Sequence, residues 1–228
     1  MNFLKIKNFL LLFLIIFSYL ISVVKTYAVD ITADRTISSS SDGDQYNIKT
    51  NNDIDVIVTN NSTLERNQKI FNVSADSLTG SSITIHLGSS VIAETNSIFS
   101  NGAELTITNT GTIEATNSKA INVSNSDGVS ITNNNNGVIK SNNNTILGDA
   151  GTGADNVTID NSGEIYTTAT GTESSAIVFA NNDTGNTITN NSGGEIYSSG
   201  SESTIVLGVS STLTNSGSIK NNKSVTNK

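Results

Sequence analysis

A seven-residue phrase returns along this chain, and its return limits the folds open to it more than any other feature. It reads Ile107-Thr108-Asn109-Thr110-Gly111-Thr112-Ile113, then Ile159-Asp160-Asn161-Ser162-Gly163-Glu164-Ile165, then Leu213-Thr214-Asn215-Ser216-Gly217-Ser218-Ile219. Longer versions at 131–139 and 188–196 carry two extra residues, and weaker copies at 58–64 and 85–91 extend the series toward the N-terminus. Successive copies begin 22 to 29 residues apart. A coiled coil keeps a strict period, whereas a β-solenoid absorbs insertions at its corners while its strands stay aligned.

Between copies lies a further apolar cluster, such as Ile70-Phe71, Ile98-Phe99, Ala120-Ile121, Ile146-Leu147, Ala176-Ile177 and Ile205-Val206. Each unit therefore holds three short β-prone stretches separated by Gly, Asn, Asp and Ser, and no window beyond residue 28 has a helical period. The expected fold is all-β: a parallel β-helix of about seven coils, three short strands to a coil, each strand pairing with its equivalent above and below. Alternation along the strands sends Ile107, Ile113, Ile121, Ile131, Ile139, Ile159, Ile165, Ile177, Ile188, Ile196 and Val206 inward. The third position of the repeat is Asn60, Asn109, Asn133, Asn161, Asn190 or Asn215, and these six are expected to stack as an amide ladder up the axis. Asn also tolerates left-handed backbone. Gly111, Gly163 and Gly217 suit the corner that follows.

Residues 1–28 form a separate piece. Lys5 and Lys7 precede a 16-residue apolar run, 9–24, and Thr26-Tyr27-Ala28 ends it with the small residues a signal peptidase reads. The run is shorter than the roughly 20 residues of a membrane-spanning helix, so a signal helix cleaved after Ala28 is expected. Without the leader's three lysines, nine basic side chains face 20 acidic ones, a net charge near −11. That balance excludes nucleic acid as a partner and disfavours anionic membranes. The chain has no cysteine, so disulfides cannot support it. Packing and backbone pairing must.

The phrase Ile-Thr-Asn-x-Gly-x-Ile, with its Ser/Thr-rich corner and Ala-Ile-x-Val strand, resembles the passenger domains of bacterial autotransporters over residues 58–228. The resemblance implies a right-handed parallel β-helix exported to the outer membrane, cell surface or medium of a Gram-negative bacterium, and a structural or adhesive role toward glycans or surface proteins of other cells. The family's anchor is a C-terminal membrane barrel of at least eight strands of about 9 to 11 residues. Only nine residues follow Ile219, so any membrane attachment through a barrel lies outside this chain, which is expected to be truncated. Residues 29–57 are expected to cap the N-terminal end.

Chemistry is sparse. His86 is the only histidine and has no triad around it in sequence; zinc sites draw on Cys and His clusters that the chain lacks, and no cofactor is expected. Glu114, Glu164 and Glu195 fall beside the second strand of their coils, as a solvated acidic face or as part of a carboxylate site. The alternative to an adhesive protein, a β-helical polysaccharide lyase or hydrolase, requires Glu114, Asp160, Glu164 and Glu195 to converge in a groove. Asp155 belongs to the stretch Ala150 to Thr158, a single copy that matches the calcium nonapeptide Gly-Gly-x-Gly-x-Asp-x-apolar-x except at its first glycine, read here as a corner loop because consecutive copies normally share each ion. A third alternative, ice or crystal binding, needs Thr-x-Thr on one face of successive coils; Thr106-Ile107-Thr108 and Thr187-Ile188-Thr189 fit, while Ser130-Ile131-Thr132 and Thr158-Ile159-Asp160 interrupt the array.

Overall fold

A computed structural model of the chain describes residues 28–49, 53–59, 61–74, 80–102, 104–148 and 153–221; the leader through residue 27 lies outside these. The described residues form three parallel sheets of eight strands each, with no helix. The chain visits the sheets in strict rotation, so every third strand is a hydrogen-bonded neighbour. The first sheet stacks Ala28–Ile31, Gln45–Ile48, Phe71–Ser74, Ile98–Asn101, Ile121–Asn122, Ile146–Leu147, Ile177–Val178 and Ile205–Val206. The second stacks Arg35–Ile37, Asp55–Val58, Ser81–Ile85, Leu105–Asn109, Ser130–Asn133, Thr158–Asn161, Thr187–Asn190 and Thr212–Asn215. The third runs Ser41–Asp42, Thr63–Arg66, Ser90–Ala93, Thr112–Ala115, Val138–Ser141, Glu164–Thr167, Glu195–Ser198 and Ser218–Asn221. At about 4.8 Å per step the stack is a rod roughly 34 Å long. Residues 29–57 supply strands to the same three sheets and so begin the solenoid itself.

Short strands suffice because each, outside the first and last coils, has two parallel neighbours and one face on the core. Along the second sheet the inward file is Val56, Ile83, Ile107, Ile131, Ile159 and Ile188, each fully buried. Leu64, Val91, Ile113, Ile139, Ile165 and Ile196 form the equivalent file of the third sheet. Burying each such aliphatic side chain contributes about 1.5–3 kcal/mol, and truncating one such as Ile131 to Ala costs about 2–5 kcal/mol because its coil neighbours cannot close the gap. One expected core residue is displaced: Val206 pairs with Val178 on the outward side and is half-buried, and its neighbour Ile205 continues the inward file of Ile146 and Ile177.

Register corrects the two weak copies. Val56 and Ile83 align with Ile107, so the units begin at 56 and 83 in place of 58 and 85. A slip of two residues keeps every side chain on its own face, which is why the hydrophobic pattern alone tolerated both alignments.

Candidate functional site

The asparagine column fixes the frame on which the surface is built. Asn109, Asn133, Asn161, Asn190 and Asn215 are register partners. Each Nδ2 donates to the next Oδ1, at 2.9, 2.8, 2.8 and 2.8 Å in turn. The first four are fully buried. Asn60 lies outside the described residues, and in its coil the column position belongs to Val58, followed by Ile85. The column is therefore apolar at the N-terminal end and amide from Asn109 onward. These asparagines are strand residues; left-handed backbone falls instead on Asn61, Asn125, Asn136 and Asn156. The glycine that follows has a steric cause too. Gly111, Gly137, Gly163, Gly194 and Gly217 each precede the register-paired first residue of a third-sheet strand, and a Cβ at Gly163 would fall on the backbone oxygens of Gly137 and Asn134.

With the rod held in register, outward side chains line up in files. On the third sheet one file reads Glu65, Ile92, Glu114, Lys140, Tyr166, Tyr197, Lys220. Lys140 Nζ meets Glu114 at 2.9 Å, and that hydrogen bond holds the ammonium above its usual range. The rings of Tyr166 and Tyr197 stack with centroids 4.5 Å apart and planes within 7°. Burial, then the adjoining Tyr166 and Glu164, push the Tyr197 phenol upward, and its hydroxyl donates to Glu164 at 3.4 Å. Lys220 reaches Glu195 at 3.4 Å. Glu164 and Glu195 are register partners, but Glu114 stands in the other file, opposite Lys140. The three glutamates thus do not form one carboxylate column. Asp160 lies on the second sheet between Thr132 and Thr189, so the four acids of the enzymatic alternative do not converge.

A groove runs beside this file, where the chain leaves the third sheet. Its lining includes Ala93, Ala115 and Ser141, the register-paired last residues of three successive strands. One stretch of about 370 Å³ is lined by Glu65, Arg66, Asn67, Glu94, Thr116 and Asn117 among others. A second, of about 300 Å³, adjoins it at Thr116 and includes Glu114, Lys140, Asn142, Tyr166 and Thr168. Together they cross five coils. Arg66 closes the N-terminal end: its Nη1 donates to Gln45 at 3.0 Å, and burial lowers its basicity. The tyrosines were the missed signal, since Gly-Glu-Ile-Tyr occurs at both 163–166 and 194–197.

The remaining candidates are placed as follows. His86 sits past the end of its strand, exposed, in a turn closed by Ser89 N on its carbonyl at 3.0 Å. Asp155 Oδ1 accepts from Thr184 N at 2.6 Å and Thr184 Oγ1 at 2.9 Å; residues 149–152 of its loop lie outside the described residues. No group of three or more His, Cys, Asp or Glu gathers among the described residues. Compared with known proteins, the chain matches no family model, no curated protein and no solved structure.

Proposed function

We propose that this chain is an exported, non-catalytic surface scaffold of a Gram-negative bacterium, and that its third-sheet flank adheres to glycans of other cells. The groove carries the reading. It combines an aromatic wall at Tyr166, the Glu114–Lys140 pair and amide or hydroxyl groups at Asn67, Asn117, Asn142, Thr116 and Thr168, the mixture that hydroxyl-rich ligands satisfy through hydrogen bonds and aromatic contact. Its coils advance about 4.8 Å each, close to one pyranose unit of an extended chain, whereas an extended peptide advances about 3.4 Å per residue and falls out of step. The leader with its basic start and apolar run, the absence of cysteine in the sequence and the net negative charge suit an exported protein whose stability lies in repeated packing.

The test expresses the full chain in a Gram-negative host, follows it by cell fractionation and surface proteolysis, and titrates the exported protein with unbranched oligosaccharides of graded length. The proposal expects export, affinity that grows with oligosaccharide length until the groove is filled, loss of binding in Tyr166→Ala and Asn142→Ala, and unchanged sugars afterward. Retention in the cytoplasm, binding that ignores both substitutions, or cleaved oligosaccharide would each overturn it.

A further inference from the structure

The second sheet presents a different surface. Its outward side chains form two parallel files over six successive coils. One is Ser82, Thr106, Ser130, Thr158, Thr187 and Thr212; the other is Thr84, Thr108, Thr132, Asp160, Thr189 and Thr214. The positions that seemed to interrupt a Thr-x-Thr array are in register with it, and Ser130 keeps the hydroxyl. Asp160 alone among the twelve does not, and its carboxylate is bonded by the Asn191 amide. Above the array, Asp55 and Ile57 end the pattern.

We infer that this face binds ice, by holding a layer of water in a lattice-like arrangement. Four properties support the inference. The hydroxyls repeat at about 4.8 Å along the rod and roughly 6.6 Å across it, the distance between alternate residues of one strand, spacings near those of oxygens on a prism face of ice. Threonine is stiff at χ1 because of its β-branch, so each hydroxyl and methyl keeps its place without further ordering on contact. The two files carry no positive charge and one negative group, so little draws water into shells centred on ions. Flatness is the last requirement, and sheets stay flat when a side-chain ladder stacks them. The asparagine ladder runs through five of these six strands, one residue beyond the second file, at Asn109, Asn133, Asn161, Asn190 and Asn215. It sets neighbouring hydroxyls level with one another.

This inference is independent of glycan adhesion, since it concerns another sheet. The experiment measures thermal hysteresis and single-crystal ice shaping for the exported full chain and for variants. The unsubstituted chain is expected to separate freezing from melting temperature and to facet the crystal. Thr132→Lys, which places a cation at the centre of the array on an outward strand position, is expected to lose both effects. Asp160→Thr is expected to widen the hysteresis gap by completing the file, and Thr112→Lys, at an outward third-sheet position away from both faces' binding residues, to leave it unchanged. Absence of shaping by the unsubstituted chain overturns the inference. So does activity that survives Thr132→Lys, a gap that Asp160→Thr fails to widen, or binding to crystalline cellulose without any effect on ice.

Discussion

Replacing Asn161 with alanine strikes the centre of the amide ladder, and its cost follows from the bonds it makes. Asn161 accepts from Asn133 at 2.8 Å and donates to Asn190 at 2.8 Å, to the Gly163 carbonyl at 3.1 Å and to the Glu195 carbonyl at 3.3 Å. Alanine leaves the buried Oδ1 of Asn190 without its ladder donor and removes one acceptor from Asn133, whose Nδ2 keeps only the carbonyls of Gly137 and Glu164. A net hydrogen bond contributes about 1 kcal/mol, and a buried orphaned group costs about 1–3 kcal/mol, so Asn161→Ala should destabilise the chain by about 2–4 kcal/mol. Asn215, at the exposed end of the ladder, provides the comparison. There water replaces the lost partner, and Asn190 Nδ2 retains Gly194 O and Ser218 O at 3.2 Å each, so Asn215→Ala should cost less than about 1 kcal/mol. Urea unfolding of the purified chain, followed by circular dichroism, reads the difference as a drop in midpoint of about 1–2 M for Asn161→Ala at unchanged slope. Equal midpoints for the two variants, or a loss below about 1 kcal/mol at Asn161, would refute the ladder as a structural element.

Gly163→Ala should destabilise by about 3 kcal/mol or more, because backbone cannot yield to the added Cβ, while Gly171→Ala, with nothing within 4 Å, should shift the thermal midpoint by almost nothing. The Asn143 amide, and then Lys119, hold the Glu173 carboxyl below its usual range. Its stabilisation is therefore present above the unfolded carboxyl value near 4.3 and lost as pH falls through the folded one, so Glu173→Gln should flatten the acid limb of a stability-versus-pH curve. Lys140 behaves oppositely: raised by Glu114, it stabilises below the unfolded lysine value near 10.4 and stops doing so as pH rises through the folded one. Glu114→Gln should thus remove a loss of thermal stability seen at high pH.

The architecture was legible because β-branched residues recur between Asn and Gly at spacings that only a coil-by-coil stack satisfies. The inward isoleucines and the asparagine column from Asn109 onward could be read directly. Where strands alternate with period two, pattern could not distinguish Val58 from Val56, and Asn60 entered the column on that slip. Glu114 and Glu164 looked equivalent because both adjoin an isoleucine. In fact Glu114 follows Ile113 and Glu164 precedes Ile165, which puts them in different files. Glycine after the ladder looked like a residue chosen for its backbone freedom, yet the constraint is the carbonyl of the coil before it. The groove was not legible at all, since its lining is gathered from five coils that only the register brings side by side. Serine at 130 read as a break in the threonine array until register placed its hydroxyl in the file.

Because the chain has no cysteine, paired substitutions can report its register directly. Thr132 and Asp160 are outward register partners, and adjacent parallel strands set their Cα atoms about 4.8 Å apart, within the range a disulfide spans. Thr132→Cys with Asp160→Cys should cross-link on mild oxidation of the folded chain. Ser130→Cys with Asp160→Cys, two residues out of step, should stay reduced; cross-linking by that second pair in place of the first would contradict the stacked solenoid on which the proposed adhesive flank and the proposed ice-binding face both depend.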